Sequence, residues 1–215
     1  MRTETGRSSA ACRAPHRPAE TSGETEFHGR AAKRARSPIT VARRPGAALK
    51  ITVWGSGSIY DAALAVCAKH GVQLVDDPAR SDVLLLANYT KILKDADRAL
   101  PRVGALCFHP SPLPVHRGRD AVYWTVKNGD ATCGVSWFWI DEGIDTGELA
   151  GTIEIGRPDV RPKELYEQTL VPLGTMLLDA LVAEFVRGNF SRYPQDESRA
   201  TYEPPRPKPV ASASA

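Results

Sequence analysis

Three residues that could move protons or act as nucleophiles stand beside rigid turns in this chain: Cys107, His109 and Asp145. His109 follows an apolar run and opens His109-Pro-Ser-Pro-Leu-Pro114. Its three prolines hold an extended loop still, so the ring can be presented to a crevice in a set orientation. The plainer alternative is a histidine that is merely hydrogen-bonded at a strand end. Asp145 lies in the turn Asp141-Glu-Gly-Ile-Asp-Thr-Gly147. Asp141 and Glu142 read as solvated turn acids, whereas Asp145, next to Ile144, reads as facing inwards. A carboxylate beside an imidazole raises its pKa and fixes its orientation, which is what a proton shuttle requires. Cys107 falls on the same strand face as His109, so a Cys–His nucleophilic pair is conceivable. A small buried residue at a strand end is the alternative.

The elements that must hold these residues alternate along the chain. Leu49 to Trp54 is a β-branched run ending in Gly55-Ser-Gly57, and Tyr60 to His70 reads as a helix. Val72 to Val75 is a second short strand, and Asp82 to Ala87 is a continuous apolar run of the kind found in buried parallel strands. A weak helix over Ile92 to Leu100 precedes a strand, Val103 to Phe108, which delivers His109. Asp120 to Lys127 reads as a helix, and Gly134 to Ile140 pairs with Leu149 to Ile155 as a hairpin around the Asp145 turn. Lys163 to Arg187 is a long helix that Pro172 should kink or split. This order predicts an α/β fold with a doubly wound, mostly parallel sheet, its site beyond the carboxyl ends of the strands.

The composition, 42% hydrophobic and 25% charged, is that of a globular chain, and its apolar runs are too short to cross a bilayer. The net charge of +3 divides into +6 for residues 1–47 and −3 for the rest, so it gives the folded part no nucleic-acid signature. Residues 1–47 read as a disordered leader or the product of a mis-assigned start, and four glutamates argue against a transit peptide. A catalytic domain is expected over 48–195 and a loose Pro-rich and Ala/Ser-rich tail over 196–215. Four widely spaced cysteines suit a reducing cytoplasm and offer neither a disulfide framework nor a zinc site. No metal is expected. Gly55-Ser-Gly57 looks like part of a dinucleotide loop, but Tyr60 replaces the third glycine, which favours a simple tight turn.

His109-Pro-Ser-x-Leu-Pro, Arg117-Gly118, Gly129-Asp130 and the Asp-x-Gly-x-Asp-x-Gly turn together resemble the 10-formyltetrahydrofolate-dependent formyltransferase family. The 36-residue separation of His109 and Asp145 agrees with that pattern. The resemblance covers roughly residues 49 to 203 and implies the formyltransferase N-terminal fold. It implies a folate held by Tyr89, Lys91 and Leu93 on one side and by Trp139, Ile140, Asp141, Gly143 and Ile144 on the other. It also implies an amine acceptor near Ser111, Arg117 and Gly118, and His109 working with Asp145 on a tetrahedral intermediate.

The chain departs from the family pattern at three points. Cys107 stands where transferases carry an Asn that donates to the oxyanion, a contact whose loss costs about 2.7–4 kcal/mol. The stretch leading to His109 is short, as if one β–α unit were trimmed. No tRNA-binding domain is expected after Tyr202, so a small-metabolite amine is preferred to tRNA as acceptor. Membrane partners are not expected either. Hydrolysis of the donor to formate is the alternative, because the hydrolase part of 10-formyltetrahydrofolate dehydrogenase also lacks the Asn. The stretches 124–130, 138–148 and 194–202 resemble that branch. A folate- or partner-binding relic without turnover is the third reading.

Overall fold

A computed structural model describes residues 39–40 and 48–207. Its strands are β1 (Ile39–Thr40), β2 (Lys50–Gly55), β3 (Gln73–Leu74), β4 (Val83–Ala87), β5 (Gly104–His109), β6 (Thr132–Trp139), β7 (Leu149–Gly156) and β8 (Asn189–Phe190). The helices are α1 (Ser58–Lys69), α2 (Asp95–Arg98), α3 (Ala121–Lys127), α4 (Pro162–Leu165) and α5 (Val171–Val186). Six strands form one sheet in the order β3-β2-β4-β5-β6-β7. The pairs β3–β2, β2–β4 and β4–β5 are parallel, whereas β5–β6 and β6–β7 are antiparallel. The sheet is thus the mostly parallel α/β sheet expected, with a hairpin completing one side.

The two faces of the sheet are covered differently. Ile51, Val83, Leu85, Leu106, Phe108, Val135, Trp137 and Trp139 form the main core with residues of α1 and α5. Burying these large apolar side chains is the chief favourable term in the fold. On the other face Leu84, Leu86 and Ala105 pack beneath Trp54, Tyr89, Leu93, Cys107 and Ile140. The crossover from β3 to β4 contains only a one-turn 3₁₀ helix, Pro78–Arg80, and that from β4 to β5 only the single turn α2. The sequence between β3 and His109 is short because these crossovers are reduced to turns.

Gly55 is required by packing: a Cβ there would lie 1.7 Å from the Ala87 carbonyl oxygen. Tyr60 sits inside α1, which favours the tight-turn reading of Gly55-Ser-Gly57. Pro172 acts as expected. The helix is interrupted by a π-helical stretch, Tyr166–Leu170, immediately before α5, where the proline's missing N–H falls in the first turn.

Two expectations need correction. Within Pro162–Val186 an 18-residue stretch reaches a mean hydropathy of 1.6, so by length and composition alone this helical segment could span a bilayer. Its buried residues Leu165, Leu178, Val182 and Phe185 belong to the core, so it is a core helix pressed on the sheet. The segment after Asp196 is not loose as far as residue 206. Glu197–Arg199 form a 3₁₀ turn, and Tyr202 bridges to Arg117. Composition hid this because the segment is anchored by polar side chains instead of apolar ones. The leader read over 1–47 lies outside the described residues except for Ile39 and Thr40, which pair with Phe190 and Asn189.

Candidate active site

His109 is the last residue of β5 and is paired in register with Ser136 of β6. The Ser136 hydroxyl donates to the Ser111 carbonyl (2.9 Å) and accepts from the Leu113 amide (2.9 Å). The proline-rich loop is thereby pinned to the sheet directly beside His109. The loop contains a cis Leu113–Pro114 bond and turns back through His116, whose φ is +57°. That turn brings the His116 carbonyl to 2.8 Å from His109 Nε2. A carbonyl can only accept, so Nε2 carries a hydrogen. Nδ1 is therefore the ring nitrogen left to exchange a proton.

Asp145 Oδ2 lies 3.5 Å from His109 Nδ1. That is an ion-pair distance, too long for a strong hydrogen bond. The same oxygen accepts a 2.7 Å hydrogen bond from the Gly118 amide. Burial pulls the His109 pKa below the ordinary histidine value, against the opposing pull of the Asp145 carboxylate. Folding thus favours a neutral imidazole with its open nitrogen turned towards a fixed negative charge. Asp145 holds a left-handed backbone (φ +55°), as do Asn88, His116 and Asp120, all of them in loops around this end of the sheet. Such conformations cost a side-chain-bearing residue about 1–2 kcal/mol and need local support.

Cys107 does not form a reactive pair with His109. Burial, and after it the Asp145 charge, push its thiol far above the ordinary range, and its Sγ contacts the Phe108 carbonyl at 3.5 Å. A neutral thiol of this kind is a poor nucleophile. It is also a weak donor to an oxyanion.

Two of the expected acceptor contacts are used within the chain. Ser111 is fully buried (0% exposed) and its hydroxyl donates to the Val115 carbonyl. Arg117 is 1% exposed and is consumed by Gln195, Glu197 and Tyr202. Neither can offer its side chain to an acceptor without breaking these bonds. Gly118 contributes its amide to Asp145. Spacing could not show that the Arg117 guanidinium is already taken by the Glu197 carboxylate.

A cavity of about 490 Å³ opens between the β4–β5 connection and the Asp145 turn. Ile140, Asp141 and Gly143, three of the residues expected beside the folate, line it. Tyr89 packs at a tilt against Trp54 (5.8 Å between ring centroids) and Leu93 packs on the apolar cluster behind the wall. Lys91 and Ile144 are solvent-exposed. Trp139 was expected in the folate wall but faces the opposite side of the sheet, against Phe185, and donates to the Ser191 carbonyl. Strand alternation explains the correction, since Trp139 and Ile140 must point to opposite faces. Sequence reading missed Arg98, Val103, Gly104 and Arg192 on the cavity wall. Arg192 lies over the Trp139 ring (4.2 Å) and donates to the Val103 carbonyl, yet its Nε is buried without a hydrogen-bond partner. It comes from a segment that carries no motif near either loop.

Residues 29–170 match the pattern of the family described as Formyl transferase. The chain is 42% identical over 104 residues to cytosolic 10-formyltetrahydrofolate dehydrogenase of Homo sapiens, a match covering 48% of this chain and 12% of that protein. It is 34% identical over 125 residues to methionyl-tRNA formyltransferase of Synechococcus sp. (strain JA-3-3Ab), covering 58% of this chain and 38% of that one. The chain therefore spans well under half the length of either relative. Its fold resembles HypX from Aquifex aeolicus in complex with tetrahydrofolic acid, with a TM-score of 0.65 at 15% identity over 74% of this chain and 30% of that one. Since the family pattern extends over more than half of the sequence and takes in both His109 and Asp145, the chain belongs to the formyl transferase family.

Proposed function

We propose that the chain transfers the formyl group of 10-formyltetrahydrofolate to an amine of a small metabolite, with His109 and Asp145 moving the protons. The observation that carries this reading is the open Nδ1 of a buried His109, its other nitrogen tied to a carbonyl, facing Asp145 at 3.5 Å. The pterin occupies the cavity between residues 95–105 and 140–143. The amine lone pair attacks the formyl carbon, and the carbonyl π pair moves to oxygen. His109 Nδ1 takes a proton from the attacking nitrogen and then delivers one to N10 of the folate as the C–N10 bond breaks. Asp145 stabilises the imidazolium between these steps. The three cysteines among the described residues are free thiols, in keeping with a cytoplasmic setting.

Hydrolysis of the same donor is the second reading, with water in place of the amine. Two observations favour it: the thiol at Cys107 where an amide donor would serve transfer, and the internal use of Ser111 and Arg117. Mixing the protein with 10-formyltetrahydrofolate, alone and with a panel of amines, separates the readings. Tetrahydrofolate released only with an amine supports transfer, and release without one supports hydrolysis. Folate binding with no release in any mixture overturns both and leaves a folate-binding relic.

A further inference from the structure

Three consecutive residues, His116, Arg117 and Gly118, each make one contact that bears on the His109–Asp145 pair. The His116 carbonyl accepts from His109 Nε2, and the Gly118 amide donates to Asp145 Oδ2. The Arg117 contact is indirect. Its Nε and Nη2 donate to Gln195 Oε1 at 3.1 and 2.7 Å, which fixes the orientation of the Gln195 amide. Gln195 Nε2 then donates to the backbone carbonyls of Asp145 (2.8 Å) and Gly147 (2.7 Å). The bond from Arg117 decides which end of that amide faces the turn, because a reversed amide would set oxygen against two carbonyl oxygens.

Arg117 is itself held by the segment that follows. Glu197 accepts from both Nη atoms (2.9 and 2.6 Å), and the Tyr202 hydroxyl accepts from Nη1 (2.8 Å). Thr201 Oγ1 accepts from the His116 amide (2.7 Å), and the His116 ring bridges Asp130 (2.5 Å) and Glu203 (3.0 Å). The strap 195–203 therefore grips the tripeptide 116–118 from outside, while the tripeptide faces the site from inside.

We propose that Gln195, oriented by Arg117, is a positioning residue of the site: it clamps the left-handed Asp145 turn so that the carboxylate stays opposite His109 Nδ1. This rests on the formyl-transfer reading above, whose own test is His109→Ala. The need for such a clamp follows from the φ of +55° at Asp145, a conformation that its own backbone does not favour. The buried Gln195 side chain does not line the cavity, so it acts through the turn it holds at Asp145 and Gly147.

The test uses the full chain with Gln195→Met, which keeps the side-chain length but removes the amide, and Gln195→Glu. Glutamate keeps an oxygen for Arg117, and so keeps the strap docked, but loses the donors to Asp145 and Gly147. Both variants are expected to bind tetrahydrofolate within about threefold of the parent, measured by fluorescence titration. The kcat for tetrahydrofolate release should fall about 10- to 100-fold with KM little changed. In Gln195→Met the acid limb of the kcat profile should also move to lower pH, because a loosened Asp145 no longer supports protonation of His109. The His109 ring nitrogen resonances should move with it. A parent-like kcat, pH profile and ring signal in a folded Gln195→Glu, in a protein that His109→Ala inactivates, would overturn the clamp while leaving the formyl chemistry standing. Should Gln195→Met fail to fold, Gln195→Glu alone decides the question. If His109→Ala keeps full activity, the failure belongs to the functional reading instead.

Discussion

The two ends of the proposed site are built on opposite plans. At the catalytic end every polar group that faces His109 and Asp145 has a partner: the His116 carbonyl, the Gly118 amide, and the Gln195–Arg117 pair behind them. At the folate end a cavity of about 490 Å³ lies open, and the Nε of Arg192 on its wall is buried without a partner. A pre-formed polar array needs no rearrangement as charge develops, which is where electrostatic catalysis gains its strength. An open cleft with apolar and charged groups on its walls is the usual arrangement where a ligand binds. The weak point of the proposed catalytic end is Cys107, a buried neutral thiol at the position where the family resemblance implies an amide donor.

Outside the His109–Asp145 pair, substituting that residue is expected to have the largest effect. If the missing donor limits transfer, Cys107→Asn should raise the amine-dependent rate by about 10²–10³-fold, measured as tetrahydrofolate formed with a fixed amine. No gain would mean that another group already supplies the oxyanion contact, and would favour the hydrolytic reading.

A second pair of variants compares the two ends directly. Arg117→Ala strands the buried oxygen of Gln195 and should cost roughly 1–3 kcal/mol of unfolding free energy in a urea titration. Arg98→Ala, on the cleft wall and paired only with exposed carboxylates, should change stability by less than about 0.5 kcal/mol while weakening folate binding. Equal losses of stability would erase the distinction between a clamped end and an open one.

The smallest predicted effect is a shift along the pH axis. Burial lowers the folded-state pKa of His109, so the neutral form persists on acidification to below the ordinary value of about 6.5. The stability that accompanies neutral His109 is present above the unfolded pKa and is lost as pH falls through the lower, folded one. The acid limb of kcat/KM should accordingly lie below about pH 6.5. Because Asp145 raises the His109 pKa, Asp145→Asn should move that limb further down. A limb that moves up would reverse the assigned role of the carboxylate.

Much of the scaffold was legible in the sequence. The apolar run at Val83–Ala87, the strand ending at His109 and the hairpin around Asp145 all appear where periodicity and turn residues put them. Legibility ended where a side chain's role depends on a distant partner. Arg117, expected beside the amine acceptor, is instead held inside the chain by Gln195, Glu197 and Tyr202, some eighty residues away. Those partners lie in the polar stretch 195–202, which binds through hydrogen bonds, so no hydrophobic pattern announces it. Trp139 was misplaced for a simpler reason: a turn quoted as a block ignores the alternation of the strand that feeds it.

The central claim is that the formyl group leaves the folate through proton transfer at His109. The most direct test is single-turnover release of tetrahydrofolate from 10-formyltetrahydrofolate, comparing the parent chain with His109→Ala at equal folate occupancy and with an amine present. A fall of about 10²–10⁴-fold with binding retained is the expected result. Equal rates in the two proteins at equal occupancy would contradict the account.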